Sequence, residues 1–497
     1  MKEMSGLVWR QLITDCHRLR QVAINCMHCR YAHWSTIRQK KIPKDIALQH
    51  FDNFYGKVYG NNWKSIRLGL LSPNKYCSVV NIFADYEDIE IKMRQLGAVD
   101  LRRYYERHHK KYTRMERRMK LLAEKKAKKI AMMAEEAGVD VSEINADDVV
   151  VSDISDRELG SGGSSVSDAE DLLEMLSQKE DSDDPFINAA KMDIDLNDFV
   201  PIEDLKYGEE IVTEAPYYEF YQKDIDIPIE HIQETKLEIP EILKIYSFPR
   251  GVMSNFPAPQ RQKLLGVFDY FLMDGASILP VLALNIQPND RVADYCAAPG
   301  GKSLIMALTL RPKYQLCNDL SLSRCSRLKN VFDTYIPEIH ALRKTLEFSN
   351  KDAKTIIKTD AYDKVLVDVI CTNDRLSVAE NDNSWFKNTR LQERLRLPEE
   401  QLQMLYAGLR SVRPDGAVVY STCSLSPIQN DGVVHMALKR IWEETNHVFV
   451  VCDLKEAFRP FRGLYKMNNT FKYGTQVVPF MPSNYGPIYI SKLKRIQ

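Results

Sequence analysis

The stretch DRVADYCAAPGGKS, residues 290–303, decides the fold of this 497-residue chain. Its first half is apolar enough for a buried strand, and its second half brings two glycines ahead of the helix-forming run LIMAL. Such a turn lets backbone N–H groups approach a ligand, and the helix N-terminus adds partial positive charge. It predicts a nucleotide-type binding turn over residues 296–302, with a plain strand-to-helix turn as the alternative. A triphosphate loop is disfavoured because Cys296 stands where its first glycine is required.

Polar residues follow each of the next predicted strands. They are Asp319 after YQLCN, Asp352 after LEFSNK, Asp368 and Cys371 at the end of DKVLVDVICT, and Cys423 after GAVVYST. Strands that alternate with helices predict an α/β fold with a mostly parallel, doubly wound sheet, which binds ligands at the carboxyl ends of its strands. Asp319, about twenty residues beyond the glycines, is expected to accept hydrogen bonds from ribose hydroxyls. Residues 475–495 predict a strand pair with an antiparallel strand that closes the sheet.

Cys371 and Cys423 are predicted at the ends of neighbouring strands, beside the glycine turn. The ten cysteines of the chain show no even spacing, which indicates reduced thiols. Core packing is one interpretation, because free cysteine is often buried. The other is covalent catalysis, in which a thiolate attacks carbon 6 of cytosine and makes an enamine whose carbon 5 accepts a methyl group from a sulfonium donor. Asp368 is placed to provide or share the proton near ring nitrogen 3.

Six runs, in this order, resemble the Sun-domain RNA cytosine carbon-5 methyltransferases, and particularly their mitochondrial ribosomal-RNA member. They are FDYFLMDGASILPVLAL, DYCAAPGGKS, CNDLS, VLVDVICT, VVYSTCSLSPIQN and NYGPIYISKLKR, and the resemblance covers roughly residues 44–100 and 245–497. It implies a class I methyltransferase fold, with Cys423 as the nucleophile and Cys371 assisting release of the methylated product. It also implies S-adenosylmethionine as cofactor, bound by Cys296, Ala297, Ala298, Pro299, Gly300, Gly301, Lys302, Asp319, Arg324, Asp352, Ala353 and Asp368.

Two positions depart from the family pattern. Ile370 stands where the family usually has proline, and the loss of that fixed φ predicts a looser turn around Cys371. Ala353 stands where the similar member has glycine, which matters only if the backbone there needs a positive φ. The resemblance further implies mitochondrial small-subunit ribosomal RNA as substrate, a role in ribosome assembly, and a partner. That partner is a mitochondrial transcription-termination-factor-like helical repeat protein that supplies RNA affinity.

The length and the charge distribution predict four segments, although the formal net charge is zero. Residues 1–41 hold eight Lys or Arg and two acids, which is typical of a mitochondrial transit peptide and predicts location in the matrix. Residues 42–101 predict an N-terminal extension that packs on the core. Residues 102–215 predict a charged, largely disordered insertion, and residues 216–497 the S-adenosylmethionine-dependent methyltransferase domain.

Three features leave alternatives open. Tyr55, Tyr59 and Trp63 can stack on unpaired bases or, as we favour, pack a small helical lobe. Residues 102–130 hold thirteen Lys or Arg against three acids, which fits either a solvated helix or contact with RNA phosphates. The lone CxxC of residues 26–29 lacks a second ligand pair, so we expect no metal, and we expect no membrane span because no run approaches about twenty apolar residues.

Two other functions compete with RNA methylation. One is an RNA-binding ribosome assembly factor whose methyltransferase activity is impaired or dispensable, since Ile370 departs from the family pattern. The other is DNA methylation, which would place the nucleophile at Cys371. Intact Cys423, Asp368 and Cys371 favour an active RNA methyltransferase.

Overall fold

The computed structural model of the protein describes residues 42–137 and 229–497, except residues 264 and 357. The predicted transit peptide with its CxxC, residues 138–215 of the predicted insertion and residues 216–228 of the predicted methyltransferase domain lie outside the described residues. Over the two described ranges, no helix combines the length and the apolar composition that crossing a bilayer requires.

The helices and strands of the described ranges alternate over much of the chain. The helices are α1 Pro43–Tyr59, α2 Trp63–Leu71, α3 Tyr86–Gln95, α4 Leu101–Ala137, α5 Leu279–Leu284, α6 Gly301–Leu308, α7 Leu322–Tyr335, α8 Asp374–Ala379, α9 Leu391–Ser411, α10 Val433–Glu444 and α11 Lys455–Phe458. The strands are β1 Tyr76–Val80, β2 Val99–Asp100, β3 His231–Gln233, β4 Ile245–Ser247, β5 Tyr270–Asp274, β6 Arg291–Asp294, β7 Tyr314–Asn318, β8 Leu346–Ser349, β9 Tyr362–Asp368, β10 Val412–Thr422, β11 Phe449–Asp453, β12 Met467–Asn468, β13 Thr475–Val477 and β14 Ile488–Arg495.

The large sheet has the order β12-β13-β14-β10-β9-β6-β7-β8. The five strands from β10 to β8 run parallel, and β14 pairs antiparallel with β10. This arrangement confirms the predicted mostly parallel sheet with an antiparallel strand. The predicted β13–β14 pair is present, but β14 does not end the sheet. On the side of β14 that faces away from β10, two strands pair with different parts of β14. β13 pairs with residues 488–490, and β11 pairs with residues 492–495.

Alternate residues of the central strands face opposite sides of the sheet, and each side has its own core. Leu366 of β9 and Val419 of β10 pack with α5, α6 and α7. Their neighbours Val365 and Val418 pack with α9 and α10 on the other side. Because a strand repeats every two residues, a continuous apolar run buries both of its faces. The sheet is therefore doubly wound, as predicted.

A second, antiparallel sheet joins segments that are distant in sequence. Its order is β2-β4-β1-β5, so β1 of the N-terminal extension lies between β4 and β5. Residues 76–80 thus pair with residues 245–247 and 270–274, which we assigned to the catalytic domain. The hydrogen bonds join the extension and the segment that leads into the large sheet into one folded unit. No pattern in the sequence predicted this long-range pairing.

Helix α4 corrects the predicted boundary of the insertion at residue 102. Leu101, Tyr105 and Met115 of this helix are buried, and the Tyr105 hydroxyl accepts the main-chain N–H of Leu237 at 2.7 Å. At 100° per residue these three apolar residues lie on one side of the helix. Residues 102–137 are thus part of one helix, and the first turns of that helix pack on the folded catalytic domain. The prediction of disorder was wrong there because a sparse apolar stripe was hidden among many charges.

Helices α1 and α2 form an N-terminal lobe that packs against α8. Tyr55 and Tyr59 are 1% exposed and Trp63 is 6% exposed, so these aromatic side chains pack the lobe and do not offer faces to RNA bases. The Arg375 guanidinium at the start of α8 donates to the carbonyls of Gly69 and Ser72 at 2.9 and 2.7 Å. The lobe therefore lies directly against the segment that follows Cys371.

Candidate active site

The glycine turn links the end of β6 to α6. Gly300 has φ 118°, a left-handed conformation that favours glycine, and an added Cβ would come within 3.1 Å of Leu328. The N–H of Ala297 donates to the carbonyl of Asn318 at 2.7 Å, which pins the turn to the end of β7. No side chain caps the N-terminus of α6, so its first N–H groups remain available to an anionic group. The turn therefore has the geometry that its sequence predicts.

Asp294, the last residue of β6, holds the glycine turn in place, and the sequence analysis did not predict this role. Its side chain is 1% exposed, and the Ser303 hydroxyl donates to it at 2.6 Å. Burial raises the pKa of Asp294 to about 7, with a smaller contribution from the Asp368 carboxylate. Its position at the strand end, two residues before Cys296, is the feature of the sequence that could have identified Asp294 as part of the site. The contact fixes the last residue of β6 to the first turn of α6.

Asp319 follows β7 and is held by main-chain and side-chain donors. Its Oδ2 accepts the N–H of Ala298 at 3.3 Å and lies 3.3 Å from Arg324 Nη2, while its Oδ1 accepts the N–H of Ser321 at 3.0 Å. Arg324 also donates to the carbonyl of Ala298 at 2.6 Å. Asp319 and Arg324 are therefore brought to the glycine turn, as predicted. Because a carboxylate offers about four acceptor positions, Oδ1 retains acceptor capacity, although the Asp319 side chain is only 3% exposed.

Asp352 and Ala353 lie beyond the end of β8. The Asp352 carboxylate accepts the N–H of Lys354 at 3.1 Å and opens the short 3₁₀ turn Ala353–Thr355. Ala353 is buried and does not have a positive φ. The methyl group that replaces a glycine hydrogen at this position is therefore accommodated without backbone strain.

Asp368 ends β9 and bridges two other elements of the site. Its Oδ2 accepts a hydrogen bond from Lys302 Nζ at 2.8 Å, and its Oδ1 accepts one from the Ser421 hydroxyl at 2.7 Å. Burial alone would lower the pKa of Lys302, but the Asp368 carboxylate outweighs burial and raises that pKa. The helix after the glycine turn thus contributes a cation to the strand ends that carry the thiols. The sequence did not predict this ion pair or the role of Ser421.

The two thiols that the sequence placed together do meet. Cys371 Sγ lies 3.0 Å from Cys423 Sγ, and the N–H of Cys423 donates to Cys371 Sγ at 3.2 Å. Both cysteines are free. The hydrogen bond with Cys371 and burial raise the pKa of the Cys423 thiol well above its usual range, and Asp368 adds to this while Lys302 opposes it. These surroundings therefore favour the protonated form of the Cys423 thiol, and the charge of Lys302 acts in the opposite direction.

Two buried glutamines hold the turn at Ile370. Gln401 of α9 donates its Nε2 to the carbonyl of Ile370 at 2.8 Å, and Gln429 accepts the N–H of Thr372 at 3.1 Å. These contacts support the main chain on both sides of Cys371, including Ile370, where the resemblance implies that proline is usual. The glutamines come from a distant helix and a distant turn, so spacing in the sequence could not reveal them. Among the described side chains, no group of three or more His, Cys, Asp or Glu is arranged to hold a metal ion.

Comparisons with known proteins give one consistent result. The family model for the 16S rRNA methyltransferase RsmB/F matches residues 281–494. The chain is 36% identical over 484 residues to the 5-cytosine rRNA methyltransferase nsun-4 of Caenorhabditis elegans, a match that covers 93% of this chain and 96% of the relative. It is 30% identical over 502 residues to the 5-cytosine rRNA methyltransferase NSUN4 of Xenopus laevis, with all of both chains covered. It is 37% identical over 238 residues to a mitochondrial tRNA (cytosine(34)-C(5))-methyltransferase of Danio rerio, a match that covers 46% of this chain and 61% of the relative.

Proposed function

Because this chain belongs to the Sun-domain family of RNA cytosine carbon-5 methyltransferases, we propose that it methylates carbon 5 of a cytosine in ribosomal RNA, using S-adenosylmethionine. The observation that carries this proposal is the pair of free thiols of Cys371 and Cys423, 3.0 Å apart beside the Asp368–Lys302 ion pair. The relatives matched over most of their length are named as ribosomal-RNA methyltransferases, which favours this RNA as the substrate.

The residues around the glycine turn fit S-adenosylmethionine. The uncapped N-terminus of α6 suits a carboxylate group, and Asp319 with Arg324 lies on the side where a ribose is expected. The side chains of Asp352 and Asp368 are 34% and 26% exposed, so each can reach a ligand. Residues 296–302 and Ala353 would complete the pocket. The cofactor, when bound, supplies a methyl group carried on a sulfonium.

Cys423 would carry the covalent step. Its thiol loses a proton, and its sulfur forms a bond to carbon 6 of the cytosine, which moves electron density toward carbon 5 and ring nitrogen 3. The proton lost by the Cys423 thiol would pass to the Asp368 carboxylate, which would then donate it toward nitrogen 3 and so limit the negative charge on the ring. After carbon 5 has gained the methyl group, it would give its own proton to water, and the electrons of that C–H bond would restore the double bond between carbons 5 and 6. The bond between sulfur and carbon 6 would break with its electrons on sulfur, and the proton on nitrogen 3 would return through Asp368 to that thiolate. Cys371, in contact with the departing sulfur, would assist this release.

The cellular setting belongs to the same proposal. The composition of residues 1–41 supports import into the mitochondrial matrix, and a matched relative from Danio rerio is named as mitochondrial. We place the reaction on mitochondrial small-subunit ribosomal RNA, with a contribution to ribosome assembly. A helical repeat protein of the transcription-termination-factor type would supply part of the RNA affinity.

Incubation of the full chain with small-subunit ribosomal RNA and methyl-labelled cofactor tests the activity. Nucleosides from the digested RNA should contain label in 5-methylcytidine only, and Cys423→Ala should lower this incorporation to background. Cys452→Ala is the matched control, because it removes a buried thiol of β11 outside the site. RNA binding without label in 5-methylcytidine would contradict the proposal and would favour an assembly factor without activity.

A further inference from the structure

Asp374, the first residue of α8, is a carboxylate with no exposed surface, and donors surround it. It accepts hydrogen bonds from the Thr372 hydroxyl at 2.6 Å, the Leu425 N–H at 2.6 Å and the Tyr55 hydroxyl at 2.8 Å. The Ser424 hydroxyl lies 3.3 Å from the same carboxylate. Burying a charge is unfavourable unless several donors compensate for the lost water, and here the donors come from three separate segments.

Two of these segments carry the thiols. Thr372 directly follows Cys371, and Leu425 follows Cys423 by two residues. The main-chain N–H of Asp374 also donates to the carbonyl of Cys423 at 3.4 Å. Asp374 therefore contacts the turn of Cys371 through one oxygen and the turn of Cys423 through the other oxygen and its own N–H.

The third segment is the N-terminal lobe. Tyr55 lies on α1, it is 1% exposed, and its hydroxyl reaches Asp374 across 319 residues of chain. Arg375, the next residue, contacts the carbonyls at the end of α2. The N-terminal lobe thus contacts the segment that follows Cys371. The Asp374 carboxylate hydrogen-bonds both to this lobe and to the turns that carry the two thiols.

We propose that Asp374 is a positioning residue for product release, which holds the sulfur of Cys371 against that of Cys423 and couples this spacing to the N-terminal lobe through Tyr55. The inference rests on the proposed function and adds to it a residue that touches neither cofactor nor cytosine. Attack by Cys423 needs one thiol only, whereas release uses the contact between the two. Loss of the carboxylate should therefore slow release more than it slows methyl transfer.

The substitutions Asp374→Asn, Asp374→Ala and Tyr55→Phe test this proposal in the full chain. Asparagine keeps the size and one acceptor, and its amide can donate to the Thr372 hydroxyl, so it should partly rescue the alanine variant. Asp52→Asn is the matched control, because Asp52 lies on the same helix as Tyr55 but bonds to Trp63 and Arg67 within the lobe. Each variant is assayed for single-turnover methyl transfer and for the steady-state fraction of protein that is covalently linked to RNA after denaturation.

We expect methyl transfer within about threefold of wild type, and release about tenfold slower in Asp374→Ala, which corresponds to the loss of one charge-assisted hydrogen bond. The RNA-linked fraction should rise most in Asp374→Ala, less in Asp374→Asn and Tyr55→Phe, and not in Asp52→Asn. If the alanine variant fails to fold, the asparagine and phenylalanine variants carry the test. An unchanged linked fraction in these folded variants, with wild-type transfer intact, would overturn this inference alone. Absence of transfer by the wild type would overturn the proposed function and this inference with it.

Discussion

The sulfur atoms of Cys371 and Cys423 lie 3.0 Å apart, although 52 residues separate the two cysteines along the chain. They meet because β9 and β10 are adjacent parallel strands, and the residues after both strands emerge at the same edge of the sheet. The N–H of Cys423 donates to the sulfur of Cys371 as well. The two thiols therefore act on one another, and the chemistry of either depends on its neighbour.

Methyl transfer should become faster as pH rises, because Cys423 must lose its proton before it attacks. Its hydrogen bond with Cys371 and its burial raise the pKa well above the usual range. The thiolate fraction should then grow about tenfold per pH unit below that pKa. Single-turnover rates at saturating cofactor, measured between about pH 6.5 and about pH 9, check this expectation.

Lys302 should determine the pH at which the rate of methyl transfer begins to rise. Its positive charge lowers the pKa of Cys423, so Lys302→Met should shift the rising part of the profile to higher pH. Lys329→Met, an exposed position on α7, is the control and should leave the profile in place. A rate independent of pH over this range, or profiles that coincide for wild type and Lys302→Met, would exclude deprotonation of Cys423 as the controlling step.

Asp294 should make the fold less stable as pH rises from about 4 to about 7. Burial raises its pKa to about 7, so in this window the folded chain keeps a proton that the unfolded chain releases. The stability due to this group is fully present below the unfolded pKa and is lost as pH passes through the folded value. Asp294→Asn should therefore gain stability relative to wild type, by roughly 2–4 kcal/mol between about pH 5 and about pH 8.

Urea unfolding of both proteins at the two pH values measures that difference. Asp333→Asn, at an exposed carboxylate of α7 that pairs with Arg343, is the control and should follow wild type. If the stabilities of wild type and Asp294→Asn run parallel across the range, Asp294 does not hold a proton in the folded chain.

Asp319→Ala should weaken cofactor binding by about 1–3 kcal/mol, because a charge-assisted contact to the ribose is lost. Asp319 also accepts the N–H of Ala298, so part of the effect would come from a less ordered glycine turn. Calorimetric titration with S-adenosylmethionine measures the affinity, and melting without cofactor shows whether the variant is folded. Unchanged affinity in a folded variant would remove Asp319 from the cofactor site.

A deletion that begins at residue 105 should destabilise the protein, whereas one that begins after residue 137 should not. Tyr105 is buried against Phe461 and bonds to the N–H of Leu237, and removal of a buried aromatic residue costs about 3–5 kcal/mol. Replacement of residues 139–226 by a flexible linker removes a stretch rich in acids. Melting temperature and saturated turnover of both deletions test the boundary, and equal losses in both would place it beyond residue 137.

Local patterns in the sequence predicted the elements whose causes are local. The strand, glycines and helix of residues 290–303 are neighbours in the chain, and the acids and thiols fall at strand ends where parallel topology gathers them. Asp374, by contrast, has a structural role only through its hydrogen bonds with Tyr55 and Leu425, which are 319 and 51 residues away in the sequence. The pairing of residues 76–80 with residues 270–274 is equally remote. Contacts of this kind depend on how the elements pack, and no local spacing encodes them.

The covalent link between this chain and RNA tests the central claim most directly. In Cys371→Ala, attack by Cys423 remains possible while release is impaired, so an RNA-linked protein that resists denaturation should accumulate. After digestion, mass spectrometry should find the nucleotide attached to the peptide that contains Cys423, and the Cys423→Ala variant should form no such link. Attachment through Cys371 in Cys423→Ala, or no covalent species in either variant, would contradict the assignment of Cys423 as the nucleophile.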